Sequence, residues 1–177
     1  YLQGYNMNAY SVEFDSLNID ASFSKDSIDA RVYAFINDST DTRLDGQIAL
    51  GDSIRIAIDS INLNTALSRF YAESGIRTII LKENYIHLPE LRIRDRLNPG
   101  FELIMQGNLS GKEENDFSLK AENLNIQRFN WLLPVDDSIT GLVNTELNIS
   151  GKLENLIASG MISAVNPGFG DFSVTEL

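Results

Sequence analysis

The chain has 177 residues, of which 43% are hydrophobic and 22% are charged, so it is long enough for one globular domain with its own core. Its 25 acidic residues outnumber its 14 basic residues and give a net charge of -11, which argues against nucleic acid as a partner and against electrostatic docking to anionic lipid headgroups. The absence of cysteine excludes a disulfide framework, a zinc–thiolate site and a cysteine nucleophile.

Alternation of apolar and polar residues dominates the chain and predicts short antiparallel strands joined by tight turns. The first clear run, at 17–23, places Leu17, Ile19, Ala21 and Phe23 on one side of a strand. Similar runs follow at 28–34, 44–50, 54–58, 101–109, 117–121 and 142–149, separated by turns rich in Gly, Asn, Asp and Ser. About a dozen strands of typical length fit the chain.

Two segments break this alternation and are predicted to be short amphipathic helices. The first is 64–74, followed by Gly75, and the second is 127–133, followed by Pro134. The residues expected to pack each helix against the sheet are Leu67 and Phe70 in the first and Phe129 and Leu132 in the second.

A phrase of the type aliphatic-Asn-aliphatic recurs at 17–19, 61–63, 124–126 and 147–149. Each copy directs two aliphatic side chains to one face of a strand and Asn to the other, so the repeat predicts an extended apolar surface with Asn facing water. Glycines that precede apolar residues, as at Gly46, Gly107 and Gly160, predict bulges or turns where a sheet bends sharply.

The sequence offers few groups for catalysis or metal binding. His87 is the single histidine and lies in a strand-like run, and no Gly-x-Ser-x-Gly turn accompanies it. The carboxylate pairs at 113–114 and 136–137 lie in turn-like polar segments, and the acidic loop at 37–41 lacks the spacing of an EF-hand. We therefore expect no enzyme activity, no metal site and no cofactor.

The C-terminal third of the chain resembles the TamB and AsmA-like family of Gram-negative envelope proteins. That family repeats an apolar strand, a short helix, a Gly-led strand, a strand ending near Ser-Gly, and a Pro-containing link into another Gly-led strand. The matching positions are Leu124, Ile126, Phe129, Leu132, Gly141, Leu147, Ile149, Gly151, Gly160 and Ile162. One departure is the link at 154–156, which has no proline.

The resemblance implies a curved antiparallel sheet folded into an open apolar trough, or β-taco. It implies a location in the bacterial envelope, in a periplasm-spanning protein anchored in the inner membrane. Such proteins are associated with phospholipid transport and with outer-membrane biogenesis, through contact with an outer-membrane assembly barrel protein. We interpret residues 1–177 as one segment excised from a longer chain, with repeat units near 15–75 and 76–177.

On this interpretation the partners are phospholipid acyl chains, which leave water at about 0.8 kcal/mol per buried methylene. The side chains predicted to line the trough are Leu17, Ile19, Phe23, Ile56, Ile58, Leu103, Met105, Phe117, Leu119, Leu147 and Ile149. The same alternation also describes a β-sandwich adhesin or glycan-binding domain of the cell surface. That alternative places function on exposed aromatic residues such as Tyr5, Tyr10 and Trp131.

Overall fold

The structure is a computed structural model that describes residues 1–9, 12–72, 76–82, 84–128, 139–170 and 172–173. Within these residues, thirteen strands form one antiparallel sheet. The strands are β1 (Leu2–Ala9), β2 (Val12–Phe23), β3 (Ser27–Asn37), β4 (Thr40–Ala49), β5 (Ile54–Asn64), β6 (Arg69–Ala72), β7 (Ile76–Lys82), β8 (Tyr85–Asp95), β9 (Asn98–Ser110), β10 (Asn115–Asn125), β11 (Ile139–Gly151), β12 (Ile157–Phe169) and β13 (Phe172–Ser173).

The strands follow one another across the sheet in chain order, which confirms the predicted mainly β fold with antiparallel neighbours. One position between β5 and β8 is shared by two short strands. β6 pairs with β5 at 62–64 and with β8 at 93–95, whereas β7 pairs with β5 at 54–58 and with β8 at 85–87. β6 and β7 therefore act as a single interrupted strand.

The predicted helix over 64–74 is wrong, because its described residues form the end of β5, a turn and β6. In the turn, Thr65 Oγ1 accepts hydrogen bonds from the backbone N–H groups of Leu67 at 3.3 Å and Ser68 at 3.0 Å. Leu67 is 52% exposed at this turn, whereas Phe70 is buried in β6. Residues 69–72 form a strand because β5 and β8 offer hydrogen-bonding partners on both sides. An isolated short helix, in contrast, is only marginally stable in water.

The second predicted helix falls mostly outside the described residues. Residues 126–128 form a 3-10 turn directly after β10. Phe129, Trp131 and Leu132 lie in 129–138, which the structure does not describe.

Glycine allows neighbouring backbones to approach closely at several points of the sheet. A Cβ atom added at Gly107 would lie 2.0 Å from the carbonyl oxygen of Asp116, and the φ angle of Gly107 is +126°. A Cβ atom at Gly46 would lie 2.5 Å from the carbonyl oxygen of Ala57, at a register shift between β4 and β5. These positions need glycine both for space and, at Gly107, for its backbone conformation.

We predict that Gly107→Ala lowers the free energy of unfolding by about 3 kcal/mol, because the methyl group collides with the backbone of β10. Gly51→Ala is the matched control, since the nearest atom to its added Cβ is 4.0 Å away, and it should change stability by less than about 0.5 kcal/mol. Urea unfolding measures both values, and equal midpoints for the two variants would contradict the prediction.

Candidate functional site

The strand register gathers the aliphatic strand residues on one side of the sheet, which we call the apolar face. Directly paired residues of antiparallel strands project to the same side, so aliphatic pairs extend as rows from strand to strand. One row comprises Ile19, Val32, Leu44 and Ile61, and another comprises Leu91, Met105, Leu119 and Leu147.

Every residue predicted to line a trough lies on this apolar face by strand register. Most of these side chains are half-buried; Ile58 is buried, and Phe23 at the end of β2 is 75% exposed. In the copies of the recurring phrase at 17–19, 61–63 and 147–149, the Asn residue lies on the opposite side. A role for these residues in lining a lipid groove stays a prediction.

The apolar face carries little buried apolar surface for its size. The buried hydrophobic residues in the described part are Ala34, Ile58, Phe70, Leu91, Phe101 and Ala121. Ile58 on β5 and Leu91 on β8 form a central cluster, against which half-buried residues of β4 to β9 pack. A sandwich would need a second facing sheet, whereas all the described strands belong to one. Most of the aliphatic side chains on this face are therefore partly exposed.

The opposite side of the sheet, which we call the polar face, is crossed by charge networks. Asp45 accepts hydrogen bonds from Arg31 Nε at 2.8 Å, Arg43 Nε at 2.8 Å and Ser60 Oγ at 2.7 Å. Burial raises the pKa of the Asp45 carboxyl, but hydrogen bonds from Arg43, Ser60 and Arg31 outweigh it and lower the pKa to about 2. This face is thus suited to water, in contrast to the apolar face.

A buried ion pair lies at one end of the apolar face. Arg128 Nη1 lies 2.6 Å from Asp95 Oδ2 and 2.9 Å from Ser68 Oγ, and Asp95 Oδ1 accepts the backbone N–H groups of Arg69 and Leu97. Asp95 is 2% exposed and Ser68 is fully buried. We call Arg128, Asp95 and Ser68 the Arg128 clasp; it links the turn after β10 to β8 and the start of β6.

The Arg128 clasp spans β9, since it joins the turn after β10 to Asp95 on β8. Two buried aromatic residues, Phe70 on β6 and Phe101 on β9, lie at the same end of the sheet. Phe70 and Phe101 meet edge to face with ring centroids 5.3 Å apart. Asp95 is paired with Phe70, so the carboxylate lies at an apolar-face position of β8. Sequence reasoning missed this cluster; its one local signal is that Asp95 continues the alternation of Leu91 and Ile93.

The other end of the apolar face contains a cavity of about 570 Å³. Aliphatic side chains of β7, β8, β9 and β11 form its wall, together with residues of the turn that contains the 3-10 helix Leu153–Asn155. The aliphatic lining residues are Leu81, Ile86, Leu109, Ile149, Leu153 and Leu156. Register places this cavity and the Arg128 clasp at opposite ends of β8 and β9. Sequence reasoning missed the cavity as well.

The candidate chemical groups have structural partners on the polar face or in turns. His87 Nδ1 lies 2.7 Å from Asn108 Oδ1, which also accepts the Tyr85 hydroxyl at 2.8 Å. Asn37 Oδ1 accepts the backbone N–H of Ser39, and Asp41 Oδ1 accepts Asn64 Nδ2. Among the described residues, no group of three His, Asp or Glu side chains could hold a metal ion.

Comparisons of the chain with protein-family models, with curated proteins and with solved structures found no match. The family resemblance therefore rests on the motif residues in the C-terminal third of the chain. In the described ranges, no helix has the length and apolar character needed to cross a membrane.

We predict that Asp95→Ala lowers the free energy of unfolding by about 3 kcal/mol or more, because it removes the carboxylate that neutralises the Arg128 guanidinium and accepts two backbone N–H groups. Glu90→Ala is the control: Glu90 is half exposed and its partner Arg92 keeps Glu102, so the change should be within about 0.5 kcal/mol. Thermal unfolding, monitored by circular dichroism, compares the stability of the two variants. A loss as small as that of the control would show that the clasp contributes little.

A second prediction concerns acid stability. Because the pKa of Asp45 is lower in the folded chain than its ordinary value of 3.8, ionised Asp45 stabilises the fold above pH 4. That contribution, of order 1 kcal/mol at this partly solvated site, is lost as the pH falls from about 4 to about 2. Asp45→Asn should be less stable than the wild type at pH 7, and the difference should shrink across that window. Urea unfolding at each pH measures it; a constant difference would contradict the assignment.

Proposed function

We propose that this chain is a non-enzymatic segment of a TamB/AsmA-like envelope protein, and that its apolar face holds phospholipid acyl chains during transport between membranes. The observation that carries the proposal is one apolar face, continuous in register from β2 to β12 and left mostly half-buried. The motif resemblance supplies the family, the periplasmic setting and the connection with outer-membrane biogenesis.

Aliphatic side chains are sufficient for this task. Each methylene that leaves water contributes about 0.8 kcal/mol, so an acyl chain is held without any polar contact. Transport also requires that no single position retains the cargo. Rows of Ile, Leu and Val at similar exposure provide contacts that are individually weak and nearly equivalent.

The proposal includes curvature of the sheet into an open trough. The close backbone approaches at Gly46, Gly107 and Gly160 support it, as do the register shifts within β5, β8 and β10. Bulges and glycines of this kind bend strands and increase their twist. The polar face, with its ion pairs, would form the outer wall of the trough in contact with water.

The alternative is a cell-surface adhesin or glycan-binding domain that uses exposed aromatic side chains. Tyr5 on β1 is 64% exposed and lies on the polar face, and Tyr1, directly before β1, is 81% exposed. Tyr10 and Trp131 lie outside the described residues. We favour lipid contact because most of the exposed large hydrophobic residues in the described part are aliphatic, whereas sugar rings are bound by flat aromatic platforms with polar neighbours.

The test is site-specific photo-crosslinking in cells. A photoreactive residue at Met105 or Leu147, on the apolar face, should capture phospholipid. The matched controls are Gln106 and Asn148, which neighbour these positions in sequence but are exposed on the polar face, and which should capture none. Equal lipid capture on both faces, or capture on neither, would refute the proposal.

A further inference from the structure

The cavity at the open end of the apolar face is built on a rigid polar frame. The buried side chain of Asn115 accepts a hydrogen bond from the Ser110 N–H at 2.7 Å and donates to the carbonyl oxygen of Gly151 at 2.9 Å. Ser110 Oγ in turn accepts the backbone N–H groups of Lys112 and Glu113. Asn115 thus ties together the two Ser-Gly-Lys segments, 110–112 and 150–152, at the same end of the sheet.

The wall of this cavity is apolar and incompletely covered. Leu153 is 61% exposed, Leu156 is 45% exposed and Ile86 is 42% exposed. The volume of about 570 Å³ lies within the range of small-molecule sites. Because the exposure of aliphatic surface to water is unfavourable, a ligand chain that covers these side chains binds favourably without rearranging the sheet.

A second depression of about 220 Å³, lined by polar and charged residues, adjoins the apolar cavity. The two share Lys82, Asn84, Tyr85 and Ser110 in their walls, and the depression adds Lys112 and Glu113. An apolar cavity beside a depression that carries charged side chains suits an amphiphile, with its chain in the first and its headgroup beside the charges of the second.

Lysines are concentrated at this end of the sheet. The chain has five lysines, and Lys82, Lys112 and Lys152 all lie here, Lys152 immediately before Leu153. Among the described residues, none of these three makes an ion pair. Glu113 and Glu154 lie at the same end, so the rim presents both signs of charge.

We propose that this end is a binding site for a zwitterionic phospholipid, with one acyl chain in the apolar cavity, the phosphate between Lys82 and Lys112, and the ammonium group beside Glu113. The inference rests on the proposed function and specifies the headgroup class of the cargo. Lysine ammonium groups bind phosphate as point charges. A purely anionic headgroup fits less well, because the carboxylates of the rim and the net charge of -11 repel it.

The experiment measures binding of single-chain probes below their micellar concentration by native mass spectrometry and calorimetry. The probes are palmitoyl lysophosphatidylethanolamine, palmitoyl lysophosphatidic acid, which lacks the ammonium group, and monopalmitoylglycerol, which lacks the phosphate as well. The double variant Lys82→Gln with Lys112→Gln should weaken the binding of lysophosphatidylethanolamine about tenfold. It should leave the binding of monopalmitoylglycerol unchanged. The matched control is Lys25→Gln with Lys120→Gln, which should change neither.

Two further variants distinguish the contribution of headgroup contacts to binding from that of acyl-chain contacts. Glu113→Gln should weaken the binding of lysophosphatidylethanolamine several-fold but should not weaken the binding of lysophosphatidic acid. Leu153→Ser with Leu156→Ser should weaken every probe, and because both leucines are exposed the fold should persist, as urea unfolding can verify. Leu97→Ser, in an equally exposed turn at the opposite end of the strands, is the control for loss of a surface leucine.

The outcomes distinguish this site from the proposed function. If all probes bind equally and the lysine variants change nothing, the headgroup site is refuted, whereas lipid capture at Met105 would still support the apolar face. If the Leu153 and Leu156 variant binds every probe as the wild type does, the cavity is refuted. If no probe binds and Met105 captures no lipid, both proposals fail.

Discussion

The structure depends on strand register, because a shift of one residue between neighbours would exchange the two faces of the sheet. Bulges preserve the register where the sequence spacing would otherwise break it. Leu88 and Leu91 are three positions apart yet lie on the same face, because β8 has one extra residue opposite the Gly107–Met105 segment of β9. The shift between Ala121 and Leu124 has the same effect in β10. The apolar face is therefore maintained by irregularities as much as by alternation.

The two ends of the strands differ in a way that matters for an acyl chain. At one end, the Arg128 clasp joins the turn after β10 to β8, near the buried rings of Phe70 and Phe101. At the other end, half-exposed leucines surround a cavity beside three lysines. The charge of Arg128 at the first end is already paired with Asp95, whereas among the described residues Lys82 and Lys112 at the second end make no ion pair.

Alternation predicted strands within β2 to β5 and β9 to β11, and it grouped the predicted lining residues on one face, because both follow from a period of two. It failed at 64–74, where apolar residues at helical spacing also fit a turn followed by a strand, and only the flanking strands decide between them. The Arg128 clasp could not be predicted from the sequence because it joins residues that are far apart in the chain. The same holds for Lys82, Lys112 and Lys152, which look dispersed in sequence but gather because antiparallel strands return the chain to one end.

If the apolar face holds acyl chains as proposed, the strand register favours movement of a chain across the strands over movement along them. Along a single strand, side chains on one face recur every two residues, or about 7 Å, and bulges interrupt them. Across the strands, the row Leu91, Met105, Leu119 and Leu147 offers an aliphatic contact at each strand spacing of about 4.8 Å. An acyl chain moving along such a row exchanges each contact for a closely spaced, chemically similar one. On that proposal, a chain would meet more closely spaced aliphatic contacts across the strands than along them, and each added strand would extend the same kind of surface.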